Sequence, residues 1–242
     1  MNGRAVAAAG DSVYAFTAPG APGIFVVPRD GGDAEIIGAD ALQSPVQVQE
    51  LAGHWYVSDV ENGQPFLVIL SSSGAVVRRL ALDTIASAPH QFAALPDGRV
   101  VVEAPDGRLV ALSDTGVATF ALTSGQPAQT GLVVAGHGGA LHAVPDRDIT
   151  LYNENGNIRW RLEWPWDASA FVTDVAVDAQ GRFHVIAGQE GRDTFVVFML
   201  SPTTGEILRW SEPGPYATFV VTRLGKIQPD SAGRWVGTAG SR

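Results

Sequence analysis

The feature that most constrains the fold of this chain is a repeat of about forty residues, in which four short apolar strands alternate with turns. The third copy is the clearest, with strands at 91–95, 100–103, 109–112 and 117–122. Its turns are Pro96-Asp97-Gly98, Pro105-Asp106-Gly107 and Ser113-Asp114-Thr115-Gly116. Pro early and Gly late in a turn match the backbone angles that tight turns require. Copies with the same order of strands and turns begin near residues 5, 46, 132 and 172.

Repeated units of four short strands, with no helical periodicity between them, are typical of the blades of a β-propeller. A β-sandwich has similar strand spacing, but it does not require five copies of one four-strand pattern. The sequence therefore predicts an all-β chain, a β-propeller with five complete four-stranded blades plus an incomplete sixth. All 242 residues are expected to form a single domain, since all-β domains often reach this length.

The sixth repeat begins near Val221 and has room for two strands, at 226–228 and 235–238. Three interpretations of this short repeat stay open. The chain is a fragment of a longer one, the last blade is thin, or a strand from a partner completes it. An unpaired strand edge is normally covered in a stable protein.

Several turn sequences resemble those of known propeller families. The segments 175–182 (VAVDAQGR) and 227–235 (IQPDSAGRW) look like repeats of six-bladed propellers of the NHL and SMP-30-like kind. The segment 200–210 (LSPTTGEILRW) is closer to the repeat of quinoprotein-like (PQQ-type) propellers. The resemblance covers nearly the whole chain, but these are turn motifs, which specify a blade and say almost nothing about chemistry.

Composition argues against several kinds of function. The formal net charge of −9 disfavours binding to a nucleic-acid backbone or to an anionic membrane surface. With no Cys, the protein has neither disulfides nor thiolate metal ligands. No apolar run approaches the ~20 residues of a membrane-spanning helix, and residues 1–16 do not read as a signal peptide. The compartment is therefore not assigned.

Aligning the repeats on their first turns places one residue of each copy at the start of an innermost strand, which in a propeller lines the central channel. These residues are Arg4, Gln47, Gln91, Leu132, Asp174 and Lys226. Five of the six are polar, which predicts a site for a small polar ligand at the channel mouth. The alternative is a set of polar groups that satisfy one another around water.

His90 is the histidine expected nearest to that mouth, and the alternative is an exposed loop residue. The resemblance to SMP-30-like enzymes implies a metal-dependent lactonase or esterase with acidic ligands at the channel mouth. Only Asp174 occupies a comparable place, and the two cations among its counterparts would repel a metal ion. No catalytic residue, metal ligand or cofactor is predicted.

Two connections between repeats are rich in aromatic residues and Pro, at 163–171 and 211–219. Rigid exposed loops with Trp or Tyr often anchor interfaces. Trp166 and Tyr216 are candidate contact residues, although aromatic side chains also pack between blades. The leading hypothesis is a non-enzymatic module that binds a protein partner or a small polar ligand on this face. The alternative is the SMP-30-like hydrolase.

Overall fold

The computed structural model describes residues 5–9, 13–17, 21–28, 32–83, 85, 92–121, 131–144, 148–163, 170–177, 181–189, 195–211, 224–229 and 235–239. These residues form 22 β-strands and no α-helix. Accordingly, no helix in this part of the protein is long and apolar enough to cross a membrane.

Five sheets contain four strands each, and we call them blades one to five. Blade one holds β1 (Ala5–Ala9), β2 (Val13–Thr17), β3 (Ile24–Pro28) and β4 (Glu35–Ile37). Blade two holds β5 (Pro45–Leu51), β6 (His54–Glu61), β7 (Gln64–Ser71) and β8 (Val76–Ala81). Blade three holds β9 (Ala93–Ala94), β10 (Val100–Glu103), β11 (Leu109–Ser113) and β12 (Gly116–Ala121). Blade four holds β13 (Leu132–Gly136), β14 (Gly139–Val144), β15 (Asp148–Asn153) and β16 (Ile158–Glu163). Blade five holds β17 (Ala170–Val177), β18 (Phe183–Gln189), β19 (Phe195–Leu200) and β20 (Ile207–Ser211).

In each blade the strands pair antiparallel in sequence order, so that every strand lies next to its sequence neighbour. This arrangement confirms the predicted five blades. A sixth sheet pairs β21 (Leu224–Pro229) with β22 (Trp235–Ala239), and no third strand joins it among the described residues. The predicted first strand of blade three, 91–95, is shorter in the structure, because only Ala93 and Ala94 pair with β10.

The polypeptide divides into two compact units. Unit 1 comprises Met1–His90 and Leu224–Arg242, and unit 2 comprises Gln91–Arg223. Blades one and two with the β21–β22 sheet belong to unit 1, and blades three to five belong to unit 2. The expectation of a single domain stays a prediction.

In unit 2, blade four is buried on both faces. On one face, Ala140 and Tyr152 join a core cluster with residues of blade three. On the other, Leu141 and Leu151 join a cluster with residues of blade five. Successive residues of a strand point to opposite faces, so a sheet covered on both sides needs apolar residues at nearly every position. That requirement explains the continuous apolar runs that define the repeat.

In unit 1, the faces of blades one and two pack together in the same way. Ile24 and Val26 of blade one lie in one core cluster with Trp55, Val57 and Val68 of blade two. In this cluster, most of the buried residues come from the second and third strands of the two blades.

Neighbouring blades approach closely enough for glycine to be required at their outer turns. Gly156, in the turn between β15 and β16, has φ of 79°. A Cβ atom there would collide with the carbonyl oxygen of Phe120, on the outermost strand of blade three. Between blades four and five, the Trp160 indole N–H donates to the Pro202 carbonyl at 3.1 Å.

We predict that Gly156→Ala lowers the free energy of unfolding more than Gly98→Ala. Both glycines have positive φ, 79° and 84°, and each donates its N–H to the carbonyl three residues earlier. The strain of adding a Cβ there, roughly 1–2 kcal/mol, is therefore common to both. Nothing lies within 4 Å of a Cβ at Gly98, whereas at Gly156 the collision adds about 1–3 kcal/mol.

Urea unfolding of the two variants measures the difference. Equal losses of stability would contradict the close contact between blades three and four at this turn.

Candidate functional site

The two ends of each blade differ in what they carry. Because the strands are antiparallel, the first strand begins where the second ends, and the fourth strand ends there as well. We call this the connection end of a blade, since the polypeptide leaves for the next blade from it. The connections span 38–44, 82–92, 122–131, 164–169 and 212–223. Several turns at the opposite end are much shorter, such as 52–53, 114–115 and 137–138.

The structure places the predicted channel residues on the strands that the repeat implied, where it describes them. Gln47 lies on β5, Asp174 on β17 and Lys226 on β21, the first strand of each sheet. Leu132 begins β13 and pairs with Ala143. Arg4, His90, Gln91, Trp166 and Tyr216 lie outside the described residues. The predicted convergence of these residues at a channel mouth stays a prediction.

A β-bulge occurs at the connection end of three first strands. The register shifts between Pro45 and Gln47, between Val172 and Asp174, and between Leu224 and Ile227. A bulge turns the following side chain relative to the regular alternation and is common beside functional sites. Gln47 and Asp174 each follow such a shift directly, which the strand pattern alone did not indicate.

In unit 1, buried polar side chains gather around the start of β5. Gln47 is 8% exposed, and its backbone N–H donates to the Ser58 hydroxyl at 3.1 Å. Thr17, at the end of β2, donates its hydroxyl to the Val46 carbonyl at 3.2 Å. These two bonds give partners to backbone polar groups at the irregular start of β5. The bond from Thr17 also joins blade one to blade two.

A buried carboxylate fixes the connection that leads into blade two. Asp59, near the end of β6, is fully buried and accepts the N–H groups of Gln43 and Ser44 at 3.0 and 2.7 Å. A buried carboxylate is stable only when hydrogen bonds replace its hydration. Asp59 thus holds the end of the 38–44 connection in place.

Glu103 plays the corresponding part in unit 2. It lies at the end of β10, is 8% exposed, and accepts the N–H of Gly131 at 2.8 Å, just before β13 begins. The Glu103 Oε2 atom also lies 3.5 Å from the Nε2 atom of His142, on the second strand of blade four. Glu103 therefore contacts blade four at two points.

His142 is 2% exposed, and its Nε2 atom has no hydrogen-bond partner among the described residues. Gly131 lies directly against the ring, since a Cβ atom there would collide with Nε2. We call Glu103, Gly131 and His142 the interblade cluster. Because the His142 and Glu103 side chains are buried, each contacts the neighbouring blade and neither is accessible to a ligand in solution.

A polar row continues from the interblade cluster to the surface of blade four. His142 pairs in register with Thr150, and Thr150 pairs with Arg161. The Thr150 hydroxyl donates to Asp148 Oδ1 at 2.9 Å and accepts from Arg161 Nε at 3.2 Å. Exposure rises along the row, from 2% for the His142 side chain to 19% for Asp148 and 36% for Arg161. Only the outer part can therefore meet a ligand.

Other charged groups at this end of unit 2 also reach solvent. Glu163, the last residue of β16, is exposed. Asp106, in the turn between β10 and β11, is exposed as well, and the hydrogen bond from the Arg108 backbone N–H lowers its pKa. The connection end of blades three and four thus presents carboxylates and guanidinium groups around a buried polar interior.

Sequence reasoning missed Glu103, Asp59 and the role of His142. Both interruptions were visible in the sequence, because Asp59 and Glu103 are acidic residues within strands that are otherwise mostly apolar. What they bind depends on which face each residue occupies and on which blade covers that face. Within the described residues, no three His, Asp or Glu side chains are grouped so that they could hold a metal ion.

Comparison with known proteins supports the fold. Neither a known family nor a curated protein sequence matches this one. Among solved structures, streptogramin B lyase is similar at 13% identity and a TM-score of 0.66, over 100% of this chain and 84% of that one. The propeller-type neighbours confirm that the protein is an all-β propeller with four-stranded blades.

Two further neighbours illustrate how varied such proteins are. A putative oxidoreductase (glucose dehydrogenase) from Thermus thermophilus aligns at 15% identity and a TM-score of 0.60, over 99% of this chain and 90% of that one. A structure of the nidogen/laminin complex aligns at 14% identity and a TM-score of 0.60, over 89% and 81%. Enzymes and binding proteins therefore share this fold, and the fold alone assigns no function.

We predict that Glu103→Ala destabilises the protein by about 1–3 kcal/mol, since it leaves the half-buried Gly131 N–H without its acceptor. Asp97→Ala is the control, because that carboxylate lies in an exposed turn and bonds to Arg99; we expect a smaller loss. Urea unfolding of Glu103→Ala, His142→Ala and the double variant measures their coupling. Fully additive losses would contradict the contact between Glu103 and His142.

A second prediction concerns Tyr152, which is 2% exposed beside this row. Burial, and to a lesser extent the Asp148 carboxylate, raises the pKa of its hydroxyl above the ordinary 10.0. The folded state then keeps this proton to a higher pH than the unfolded state does. Its contribution to stability is full below about pH 10 and is lost as the pH rises towards the folded pKa.

Tyr152→Phe should therefore lose less stability than the native protein between about pH 9 and pH 11. Urea unfolding across that range measures the two slopes. Identical slopes would contradict a raised pKa for Tyr152.

Proposed function

We propose that this protein is a non-enzymatic propeller that binds a partner at the connection end of unit 2. The observation that carries the proposal is the polar row of blade four, which runs from His142 to the exposed Arg161 beside Glu163. In the sequence, Trp164 and Trp166 follow directly after Glu163, the last residue of β16.

An aromatic centre within a charged rim is the usual composition of a protein interface. Here the rim would consist of Asp148, Arg161 and Glu163, whose side chains reach solvent to different degrees. Tyr216 lies in the next connection, 212–223, which leaves blade five at the same end. Long connections on a rigid scaffold are where proteins of such folds carry their binding residues.

The polar interior behind this surface supports the proposal further. Glu103 holds the residue that precedes β13, and the row from His142 to Arg161 links that point to the outer strand of blade four. Binding residues held on a rigid support lose little entropy when a partner binds. The interblade cluster would act in this way, as a support rather than as a contact.

We predict that replacing both Trp166 and Tyr216 by Ala weakens partner binding at least about tenfold, because truncating aromatic anchors typically costs about 2 kcal/mol or more. The double variant should unfold at nearly the same urea concentration as the native protein. Partners are captured from a lysate of the source organism, and their affinities are then measured with purified components. Val117→Ala with Ile158→Ala is the matched control, since both residues are exposed at the opposite end of their blades.

Retention of binding by the Trp166 and Tyr216 variant, or equal loss in the control, would contradict the proposed surface. A large loss of stability in the first variant would instead mean that these residues pack between blades.

The SMP-30-like hydrolase remains the alternative, with Asp174 as the proposed metal ligand and His90 near it. The finer family resemblance, to NHL, SMP-30-like or quinoprotein-like propellers, is likewise a proposal. A bound metal distinguishes the hydrolase from the binding module. The expected cationic counterparts of Asp174, Arg4 and Lys226, argue against a divalent ion there.

We predict that Ca²⁺, Mn²⁺ or Zn²⁺ added after EDTA treatment leaves the melting temperature unchanged. A metal at a hundredfold excess over its dissociation constant would stabilise the native state by ~2.7 kcal/mol, which a thermal melt detects readily. A shift with one metal that is lost in Asp174→Asn would overturn this prediction and favour the hydrolase.

A further inference from the structure

We propose that Asn62 is a site of spontaneous covalent modification, at which the folded protein deamidates selectively. Asn62 and Gly63 form the two-residue loop between β6 and β7, closed by the pair Glu61 and Gln64. Asn-Gly is favoured in such loops, because both residues need positive φ, here 50° and 81°. The same dipeptide is the one in which the backbone most easily attacks the asparagine side chain.

The reaction needs only the protein and water. The backbone nitrogen of Gly63 loses its proton and attacks the carbonyl carbon of the Asn62 side chain. A new C–N bond closes a five-membered succinimide ring, and the original amide C–N bond of the Asn62 side group breaks to release ammonia. Water then opens the ring at either carbonyl, which gives aspartate or isoaspartate. The balance is one amide and one water converted to one carboxylic acid and one ammonia.

The structure leaves the attacking nitrogen of Gly63 accessible. Among the described residues its N–H has no hydrogen-bond acceptor, and nothing lies within 4 Å of a Cβ atom placed on Gly63. Asn62 is exposed, and it is held through its backbone N–H, which donates to Gln43 Oε1 at 2.6 Å. That bond leaves the Asn62 amide group free to turn towards Gly63.

A matched site in the same protein has a structure that opposes the reaction. Asn155-Gly156 follows a glutamate, as Asn62-Gly63 does, so the local sequence Glu-Asn-Gly is the same. There the Gly156 N–H donates to the Asn153 carbonyl at 3.0 Å. Gly156 also lies against the Phe120 carbonyl, and this close contact restricts the movement that the reaction requires of the turn. Structure rather than sequence thus separates the two sites.

The modification would change the connection end of blade two. It adds a carboxylate beside Glu61, which is ion-paired with Arg79. Isoaspartate also adds an atom to the backbone within a loop whose length sets the pairing of β6 with β7. We therefore expect the modified protein to be separable by charge and to be slightly less stable.

The test compares the two sites within one sample. The purified full-length protein is incubated at mildly alkaline pH, folded or in urea, and the deamidated fraction at Asn62 and Asn155 is followed by peptide mapping and mass spectrometry. In the folded protein we expect Asn62 to react at least about fivefold faster than Asn155, the factor that ~1 kcal/mol for one hydrogen bond represents. In urea the two rates should converge. In the Asn62→Gln variant, the total amount of acidic, deamidated protein should fall by the fraction that forms at this position in the native protein.

Three results would overturn the proposal. Asn155 could react as fast as Asn62 in the folded protein, or neither site could react while both react in urea. The same ratio in urea as in the folded protein would mean that the structure has no part in the selectivity.

Discussion

The burial of blades on both faces is the constraint on which the rest of this structure depends. Blade four contacts blade three through Ala140 and Tyr152, and blade five through Leu141 and Leu151. Its central strands carry few polar residues, because most positions face an apolar neighbour. Close stacking also fixes the outer turns, where Gly156 lies against the backbone of blade three. The forty-residue repeat in the sequence follows from this stacking of blades.

Polar side chains are tolerated where the stacking ends and the connections begin. Asp59 accepts two N–H groups of the connection before blade two, and Glu103 accepts one from Gly131 before blade four. In both places a carboxylate at the end of a second strand holds a segment that would otherwise have unpaired backbone groups. The same end of a blade therefore carries both the carboxylates that hold the backbone and the connections on which we propose the binding surface.

Much of the fold could be predicted from the sequence, because turn chemistry and strand length are local properties. The turns around Gly98 and Gly107 lie where the repeat placed them, and both glycines have positive φ. The bulges before Gln47 and Asp174 could not be predicted, since a bulge is a property of two paired strands. The contact between Glu103 and His142 could not be predicted either, because it joins two blades across positions 39 residues apart in the sequence. The residues proposed to bind a partner, Trp166 and Tyr216, are a prediction from composition and topology.

The most direct test of the proposed binding end is amide hydrogen exchange of the protein with and without its purified partner. If the account is correct, exchange slows at the connection end of unit 2, in the segments 105–108, 145–147 and 164–169. The turns 96–98, 137–138 and 153–157 at the opposite end should exchange at unchanged rates. Slower exchange in those opposite turns, with none at the connection end, would contradict the account.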